Sequence, residues 1–443
     1  MRGDFPCRGY FQKVLNARGT GKVEEATKVS EYILGRNAAR KRTIGFSAGT
    51  DRRCSGPITY SGDGHLISFA PTGKGKTSGP VICNSLKHKG QLIVLDPKGE
   101  VHAATAQARR KLGQQVHVLD LRDGAAVTGS LNPLDLAARC GTEPAVIGRC
   151  FAAELIARGE ERDRFWNDWA ETVIAGGCAW MLADLKPEER RLSRLFDLFH
   201  CDDVVYGIAV QLDEKDKVKD RSARAAFAGF LQLPERETRA SVLGTVQTHL
   251  RLFDSDLVRR LTDTSSIDLD AFIAGEPMSL YIIVPPARLR ALSPLLRMWL
   301  SGLMLALTQR RAAPAERTLM LCDEAGNIGR METLLMAATL LRSSGLTLWT
   351  FFQNADQLRI YGEQANALVD NAGVVQILRA ANGRMAEGFA NLVGGISAAE
   401  IMSMAPDEQM LLVEGKPVRC KQVRYYDDKD LFVPHEPERR HRA

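Results

Sequence analysis

The sequence predicts an α/β protein in which a mostly parallel β-sheet is interrupted by an inserted all-α domain. Short, nearly continuous apolar runs alternate with helical patterns, which is typical of strands covered on both faces. Between residues 134 and 234 no strand pattern occurs, and helical patterns such as FWNDWAETVIAGGCAWMLADL replace it. Of the 443 residues, 45% are hydrophobic and 25% are charged, which excludes a disordered chain and a small disulfide scaffold.

Seven segments carry the apolar pattern of buried strands. Because parallel strands need crossover connections, the helical patterns between them favour a parallel arrangement. The predicted strands are 65–70 (HLISFA), 91–96 (QLIVLD), 115–120 (QVHVLD), 279–285 (SLYIIVP), 318–323 (TLMLCD), 346–352 (LTLWTFF) and 374–379 (VVQILR).

Charge, cysteine content and hydropathy limit the setting of the protein. A formal charge of +6, from 59 Lys and Arg against 53 Asp and Glu, permits an anionic partner without requiring one. Nine scattered cysteines without a C-x-x-C pair favour a reducing compartment. No signal peptide opens the chain, and no segment reaches the roughly 18 apolar residues of a membrane helix. We therefore expect a cytoplasmic protein without a transmembrane segment.

The segment APTGKGKT (70–77) predicts a phosphate-binding loop, because it follows a strand and opens a helical stretch. Gly73 and Gly75 allow the backbone N–H groups to turn towards a phosphate. Lys76 would reach the β- and γ-phosphates, and the Thr77 hydroxyl would bind Mg²⁺. The strict pattern begins with Gly, whereas Ala70 stands here. The residues expected to bind ATP are Thr72, Gly73, Lys74, Gly75, Lys76, Thr77 and Ser78.

Two adjacent carboxylates end the strand TLMLCD. Asp323 would hold Mg²⁺ together with Thr77, and Glu324 would orient and deprotonate the attacking water. Taken alone, the pair is equally compatible with a strand end followed by a helix cap. Its combination with the phosphate loop favours the catalytic interpretation.

Two further polar residues flank the strand LTLWTFF. Gln353 follows it and is positioned to sense the γ-phosphate or the attacking water, although an ordinary turn glutamine fits the pattern too. Arg342 precedes it. In a ring of subunits, Arg342 would stabilise charge on a neighbour's γ-phosphate, and a solvated surface arginine is the alternative.

Other features allow a functional and a structural interpretation. The segment DPKGE (96–100) lies at the expected ligand edge of the sheet and also makes a good turn. Trp166, Trp169 and Trp180 have near-helical spacing, which favours helix core over a base-stacking platform. Candidate DNA contacts are interleaved with acids, which favours a solvated face; they are Lys215, Lys217, Lys219, Arg221 and Arg224.

From about His65 to Val433, the chain resembles the type IV secretion coupling proteins of the TraG/TraD type. The resemblance depends on nine landmarks in order. They are APTGKGKT, LDPKGE with RRKLGQQVHVLDL, SLNPLDL, RFWNDWA, ETRASVLGT, LYIIVPP, DEAGNIG, Gln353 with DQLRIYG, and RYYDDKDLF. The usual DEF motif reads DEA here, with Ala325 in place of the aromatic residue.

The resemblance implies a RecA-like P-loop NTPase core that carries an all-α domain. It implies ATP and Mg²⁺ as cofactors, Lys76, Thr77, Asp323, Glu324 and Gln353 at the nucleotide site, and Arg342 acting in trans. The expected parts are an N-terminal extension (1–60), the RecA-like domain (61–134 and 235–433), the all-α insertion (135–234) and a basic tail (434–443).

The family resemblance further implies a homohexamer that drives single-stranded DNA, a relaxosome or an effector protein towards a secretion channel. Channel ATPases and inner-membrane components are the implied partners. Family members usually begin with a membrane anchor, and this sequence shows none. We therefore expect either an anchorless member that attaches to the inner membrane through partners or a truncated relative. Two alternatives stay open: an adaptor for protein effectors with nucleotide-controlled assembly, and a DNA pump of the FtsK/HerA type.

Overall fold

A single large β-sheet organises the computed structural model, which describes residues 30–36, 57–156, 164–213, 217–234 and 237–427. Its strand order is β2-β1-β11-β10-β9-β3-β8-β7-β4-β6-β5. The strands are β1 (Tyr32–Arg36), β2 (Pro57–Tyr60), β3 (His65–Phe69), β4 (Leu92–Asp96), β5 (Gln115–Asp120), β6 (Met278–Ile283), β7 (Thr318–Cys322), β8 (Leu346–Phe352), β9 (Ala372–Ile377), β10 (Glu408–Val413) and β11 (Lys416–Lys421).

The seven strands from β9 to β5 form the parallel part of the sheet. All seven predicted strands are found here, with ends shifted by at most two residues. Strands β3, β4, β6, β7 and β8 are buried at every position, because helices cover both faces. The predicted α/β fold with a mostly parallel sheet is therefore confirmed.

The antiparallel strands β2, β1, β11 and β10 were not predicted. Strands β1 and β2 lie within residues 1–60, where the sequence suggested only an extension. Strands β10 and β11 form a hairpin whose two turn residues, Glu414 and Gly415, have positive φ angles of 49° and 77°. Positive φ at both positions is the geometry of a type I′ turn, and it usually selects Asn-Gly. The Glu-Gly pair conceals that pattern.

Helices fill both faces of the sheet and the whole connection between β5 and β6. The described α-helices are α1 (Ile82–Lys87), α2 (Glu100–Lys111), α3 (Pro133–Ala138), α4 (Pro144–Leu155), α5 (Arg164–Asp184), α6 (Leu192–Phe199), α7 (Val204–Asp213), α8 (Arg221–Gln232), α9 (Thr238–Leu250), α10 (Asp256–Thr262), α11 (Leu269–Ala274), α12 (Leu289–Leu307), α13 (Glu332–Leu340), α14 (Ala365–Asp370), α15 (Gly383–Val393) and α16 (Ala398–Met402).

The predicted all-α insertion corresponds to helices that pack around α5. Helices α4, α8 and α9 all contact α5, and α9 lies beyond residue 234. The exact domain boundaries remain a prediction. Trp180 is buried and donates a hydrogen bond to the Lys217 carbonyl at 2.6 Å, and Trp166 and Trp169 pack on the same core. The tryptophans are helix core, as the spacing predicted.

A buried ion pair connects the insertion to the segment that follows β7. The side chains of Arg297 on α12 and Glu154 on α4 are 4% and 6% exposed, with 3.6 Å between Nε and Oε2. Glu154 Oε1 accepts hydrogen bonds from Ser301 at 2.7 Å and Thr333 at 2.9 Å. Arg297 donates to the backbone carbonyl of Ile328 at 3.0 Å. Burial raises the pKa of Glu154 to about 7.

Within the described residues, no helix combines the length and the apolar character that crossing a bilayer requires.

Candidate functional site

The phosphate loop begins where β3 ends, at the carboxyl edge of the parallel strands. The Ala70 N–H donates to the Phe352 carbonyl at 2.8 Å, which fixes the start of the loop beside the end of β8. Gly73 and Gly75 have φ angles of 76° and 90°, a region that other residues avoid. A π-type turn over Thr77–Val81 follows and leads into α1. The loop therefore joins a strand to a helix, as its sequence predicted.

Lys76 lies between the two predicted acids. Its Nζ is 2.8 Å from Asp323 Oδ1 and also pairs with Glu324 Oε1. Burial by itself lowers the pKa of Lys76, but the two carboxylates outweigh it and the pKa lies above its ordinary value. The lysine is therefore charged, and its ammonium is bound by the two carboxylates.

Asp323 and Thr77 are close enough to share one cation. Thr77 Oγ1 donates to Asp323 Oδ2 at 3.1 Å. The Asp323 carboxyl is buried, and among the described residues its Oδ1 has the ion pair with Lys76 but no hydrogen bond. Burial raises the pKa of Asp323, and the pairing with Lys76 opposes that rise. A hydroxyl and a carboxylate are oxygen ligands that fit a hard divalent cation such as Mg²⁺.

Glu324 has a left-handed backbone, and two amides hold its side chain. Its φ angle of 65° is left-handed, which is uncommon for a residue with a β-carbon. Glu324 Oε2 accepts hydrogen bonds from Gln353 Nε2 and Asn327 Nδ2, both at 2.8 Å. The structure thus brings Gln353 to the acids as expected. Asn327 was missed, although it stands three residues beyond Glu324 in the same motif.

Asp96 is a buried acid at the same edge, at the end of β4 beside β7. It accepts a hydrogen bond from the His102 N–H at 2.8 Å. Burial raises its pKa to about 6, and the charge of Asp323 adds to the rise. The sequence left DPKGE open between a ligand contact and a turn. The structure shows a turn that caps α2 and a carboxyl that is electrostatically coupled to Asp323.

Arg342 lies at the opposite edge of the sheet, before β8 begins. Its Nη1 is 3.7 Å from Asp63 Oδ1, and its side chain is 44% exposed. Asp63 precedes β3, whereas the phosphate loop follows β3, so one strand length separates Arg342 from the loop. Within one chain Arg342 does not join the site, and its action in trans remains a prediction.

The candidate DNA-binding residues that the structure describes are exposed or support local structure. Lys217, Lys219 and Arg221 are exposed. Arg224 donates to the Val218 carbonyl at 3.0 Å, which uses the side chain to close the turn before α8. Lys215 lies outside the described residues. A role in DNA binding remains a prediction.

A segment that the sequence analysis assigned no role lies against the phosphate loop. It follows β11, and the Tyr425 N–H donates to the Ser78 carbonyl at 3.1 Å. A β-carbon placed on Gly75 would lie 3.0 Å from Gln422 Oε1 and 3.7 Å from Arg424 Nε. The RYYDDKDLF landmark contains Arg424 and Tyr425, and Gln422 lies two residues before it. Its pattern alone did not reveal this contact, which depends on the unpredicted hairpin.

The parallel sheet, the loop at its carboxyl edge and the acids on the neighbouring strands define a RecA-like P-loop NTPase fold. The family model described as "Type IV secretory system Conjugative DNA transfer" matches residues 22–399. The chain belongs to this family, and the resemblance found in the sequence is confirmed.

Curated relatives are distant but extensive. VirD4 of Agrobacterium fabrum is 24% identical over 454 residues, which covers 93% of this chain and 65% of the relative. VirD4 of Rhizobium rhizogenes is 25% identical and is covered over 57% of its length. TraG of Escherichia coli is 26% identical over 68% of this chain and 50% of its own. The chain thus spans about half to two thirds of these relatives.

A solved structure shows the same fold. The plasmid coupling protein TrwB in complex with ADP and Mg²⁺ superposes with a TM-score of 0.65 at 15% identity, covering 94% of this chain and 99% of that one. VirB4 of Thermoanaerobacter pseudethanolicus gives a TM-score of 0.54 at 14% identity.

Proposed function

We propose that the protein is the ATP-hydrolysing coupling protein of a conjugation or type IV secretion system. One observation carries the proposal: Lys76, Asp323, Glu324 and Gln353 converge on the phosphate loop at the carboxyl edge of β3, β7 and β8. Similarity to VirD4 and TraG supports it, as does the binding of ADP and Mg²⁺ by TrwB.

Each residue of the site has a defined task. Lys76 leaves the two carboxylates and binds the β- and γ-phosphates of ATP. Thr77 and Asp323 would hold Mg²⁺, which would neutralise charge on the phosphates. Glu324 then accepts a proton from the attacking water, and Gln353 holds the carboxylate through the bond that it already makes. In the structure, the Lys76 ammonium pairs with both acids.

Assembly into a ring completes the site. Arg342 is exposed at the edge remote from the chain's own phosphate loop, which suits contact with a neighbouring subunit. We infer a homohexamer that acts in the cytoplasm, at the inner membrane through partner proteins. Its cargo is single-stranded DNA, a relaxosome or an effector protein, and its partners are channel ATPases and inner-membrane components.

The first experiment measures ATP hydrolysis with and without single-stranded DNA at low salt, together with the mass in solution. Wild type is compared with Lys76→Ala. DNA binding through phosphates is salt-sensitive, so low salt favours the complex. We expect hydrolysis that DNA stimulates, that Lys76→Ala abolishes and that accompanies oligomer formation.

Lys111→Ala is the matched control, since Lys111 is an exposed lysine on α2 away from the site. It should behave as wild type. The motor would be contradicted, and the adaptor favoured, if the protein binds nucleotide and captures a protein effector but does not hydrolyse ATP in the presence of any polymer. Hydrolysis that is stimulated by double-stranded DNA alone would favour a pump of the FtsK/HerA type.

A further inference from the structure

The strand order determines which end of a nucleotide faces the segment after β11. Asp323, Glu324 and Gln353 follow β7 and β8, on one side of β3. They are the residues that act on the γ-phosphate. Strands β9, β10 and β11 lie on the other side of β3. A triphosphate with its γ-phosphate at the acids therefore extends its α-phosphate and nucleoside towards the β11 side.

The residues immediately after β11 lie against the loop on that side. The Tyr425 N–H holds the Ser78 carbonyl, and the Val423 carbonyl approaches Gly79. These two contacts fix the segment along the part of the loop that turns into the helix. Backbone N–H groups of that part bind the α- and β-phosphates in phosphate loops.

Arg424 brings a cation to this position. Its Nε lies 3.7 Å from the place of a β-carbon on Gly75, and its side chain is 34% exposed. Within the described part of the chain, its Nη1 has a distant partner in Asp427 at 3.9 Å, and the described residues leave most of the guanidinium donors available. Among the described residues, the neighbouring Gln422 Oε1 is a buried acceptor without a hydrogen bond. A ribose hydroxyl is a donor that would satisfy it.

We propose that Arg424 binds the α-phosphate of the nucleotide, so that the segment after β11 forms the nucleoside end of the site. The proposal rests on the proposed function, since it assumes that the loop binds ATP. It assigns Lys76 and Arg424 to opposite ends of the triphosphate, with Lys76 at the β- and γ-phosphates and Arg424 at the α-phosphate. Charge-assisted hydrogen bonds to phosphate are strong and directional, which suits a guanidinium.

The test measures the affinities of ATP, ADP and pyrophosphate by calorimetry for wild type, Arg424→Ala and Arg424→Lys. We expect Arg424→Ala to weaken ATP and ADP by a similar factor of about tenfold. Pyrophosphate, which can occupy the β and γ positions without an α-phosphate, should bind unchanged. Arg424→Lys should recover part of the loss.

Lys416→Ala is the matched control, because Lys416 is exposed and begins β11 at the hairpin turn, at the end of the strand remote from Arg424. It should leave all three affinities unchanged. Unchanged ATP and ADP affinity in Arg424→Ala would overturn the inference, and an equal loss for pyrophosphate would assign Arg424 to the loop's conformation instead. Wild-type protein that binds neither ATP nor ADP would overturn the proposed function itself.

Discussion

The substitution Arg297→Met should destabilise the protein strongly, because it leaves Glu154 as a buried carboxylate without a counter-charge. Both side chains are almost completely buried, and the pKa of Glu154 already stands at about 7 with the arginine present. Removing one partner of a buried ion pair costs about 3–5 kcal/mol. For a chain of 443 residues this corresponds to a fall in Tm of roughly 3–5 °C.

The pH dependence of the loss identifies its cause. Without Arg297, the pKa of Glu154 in the folded protein rises further, whereas its value in the unfolded chain stays near 4.5. The folded state therefore holds the proton more tightly, and stability falls as the pH rises through this interval. We expect the full loss at pH 8.5 and a smaller loss at pH 5.5.

Equilibrium denaturation in guanidinium chloride, followed by tryptophan fluorescence, measures the loss. The double variant Glu154→Gln/Arg297→Met should recover much of it, since no buried charge remains. Arg290→Met is the control, because Arg290 is an exposed residue of the same helix. A loss below about 1 kcal/mol, or an equal loss at both pH values, would refute the reasoning.

Three further predictions concern the site. Gly75→Ala should abolish nucleotide binding in a titration, because a β-carbon at this position meets Gln422 at 3.0 Å. Gly73→Ala should retain more binding, because a β-carbon there meets nothing within 4 Å. Equal losses of binding in the two variants would contradict this reasoning. Asp96→Asn should stabilise the protein above pH 6 by up to roughly 3 kcal/mol. Burial raises the pKa of Asp96 to about 6, so its ionisation costs folding energy as the pH rises through about 4–6. Urea denaturation at pH 4 and pH 8 measures the gain in stability, and an equal gain at both pH values would exclude this explanation. Arg342→Ala should leave ATP affinity unchanged but lower kcat by about 10³-fold or more in the assembled state. Mixing it with Lys76→Ala subunits should restore part of the activity, because those subunits supply Arg342 to a neighbour with an intact phosphate loop. An inactive mixture would argue against action in trans.

The parallel strands could be predicted because their apolar composition indicates that they are buried. A run such as LTLWTFF is apolar at five of its seven positions, and its two threonines are buried as well. Such a run is typical of a strand covered on both faces. Strand β11 lacks this property. In β11 most positions are exposed, and Lys, Arg and Pro interrupt the apolar pattern. The position of β11 in the sheet depends on its pairing with β1 and β10, which no local sequence pattern encodes.

The site was predictable to the extent that its residues belong to contiguous motifs. The loop residues and the acids Asp323 and Glu324 fulfil this condition, and Gln353 follows a recognisable strand. Arg424 does not, because its proximity to Gly75 arises from two segments that lie far apart in the chain. The pairing of Lys76 with both acids likewise follows from their common sheet edge, and sequence spacing carries no information about it.

The order in which the sheet can be completed follows from the pairing of β1 with β11. Arg36 lies opposite Lys421, so β1 waits for its partner until the ribosome has passed residue 421. At about 5–20 residues per second, this interval lasts roughly 20–80 s. During that time β1 and β2 expose backbone groups that can pair with other chains. A nascent chain that stalls within β10 or β11 therefore carries an unpaired sheet edge. Strands β1 and β2 need protection from pairing with other chains until translation has passed β11.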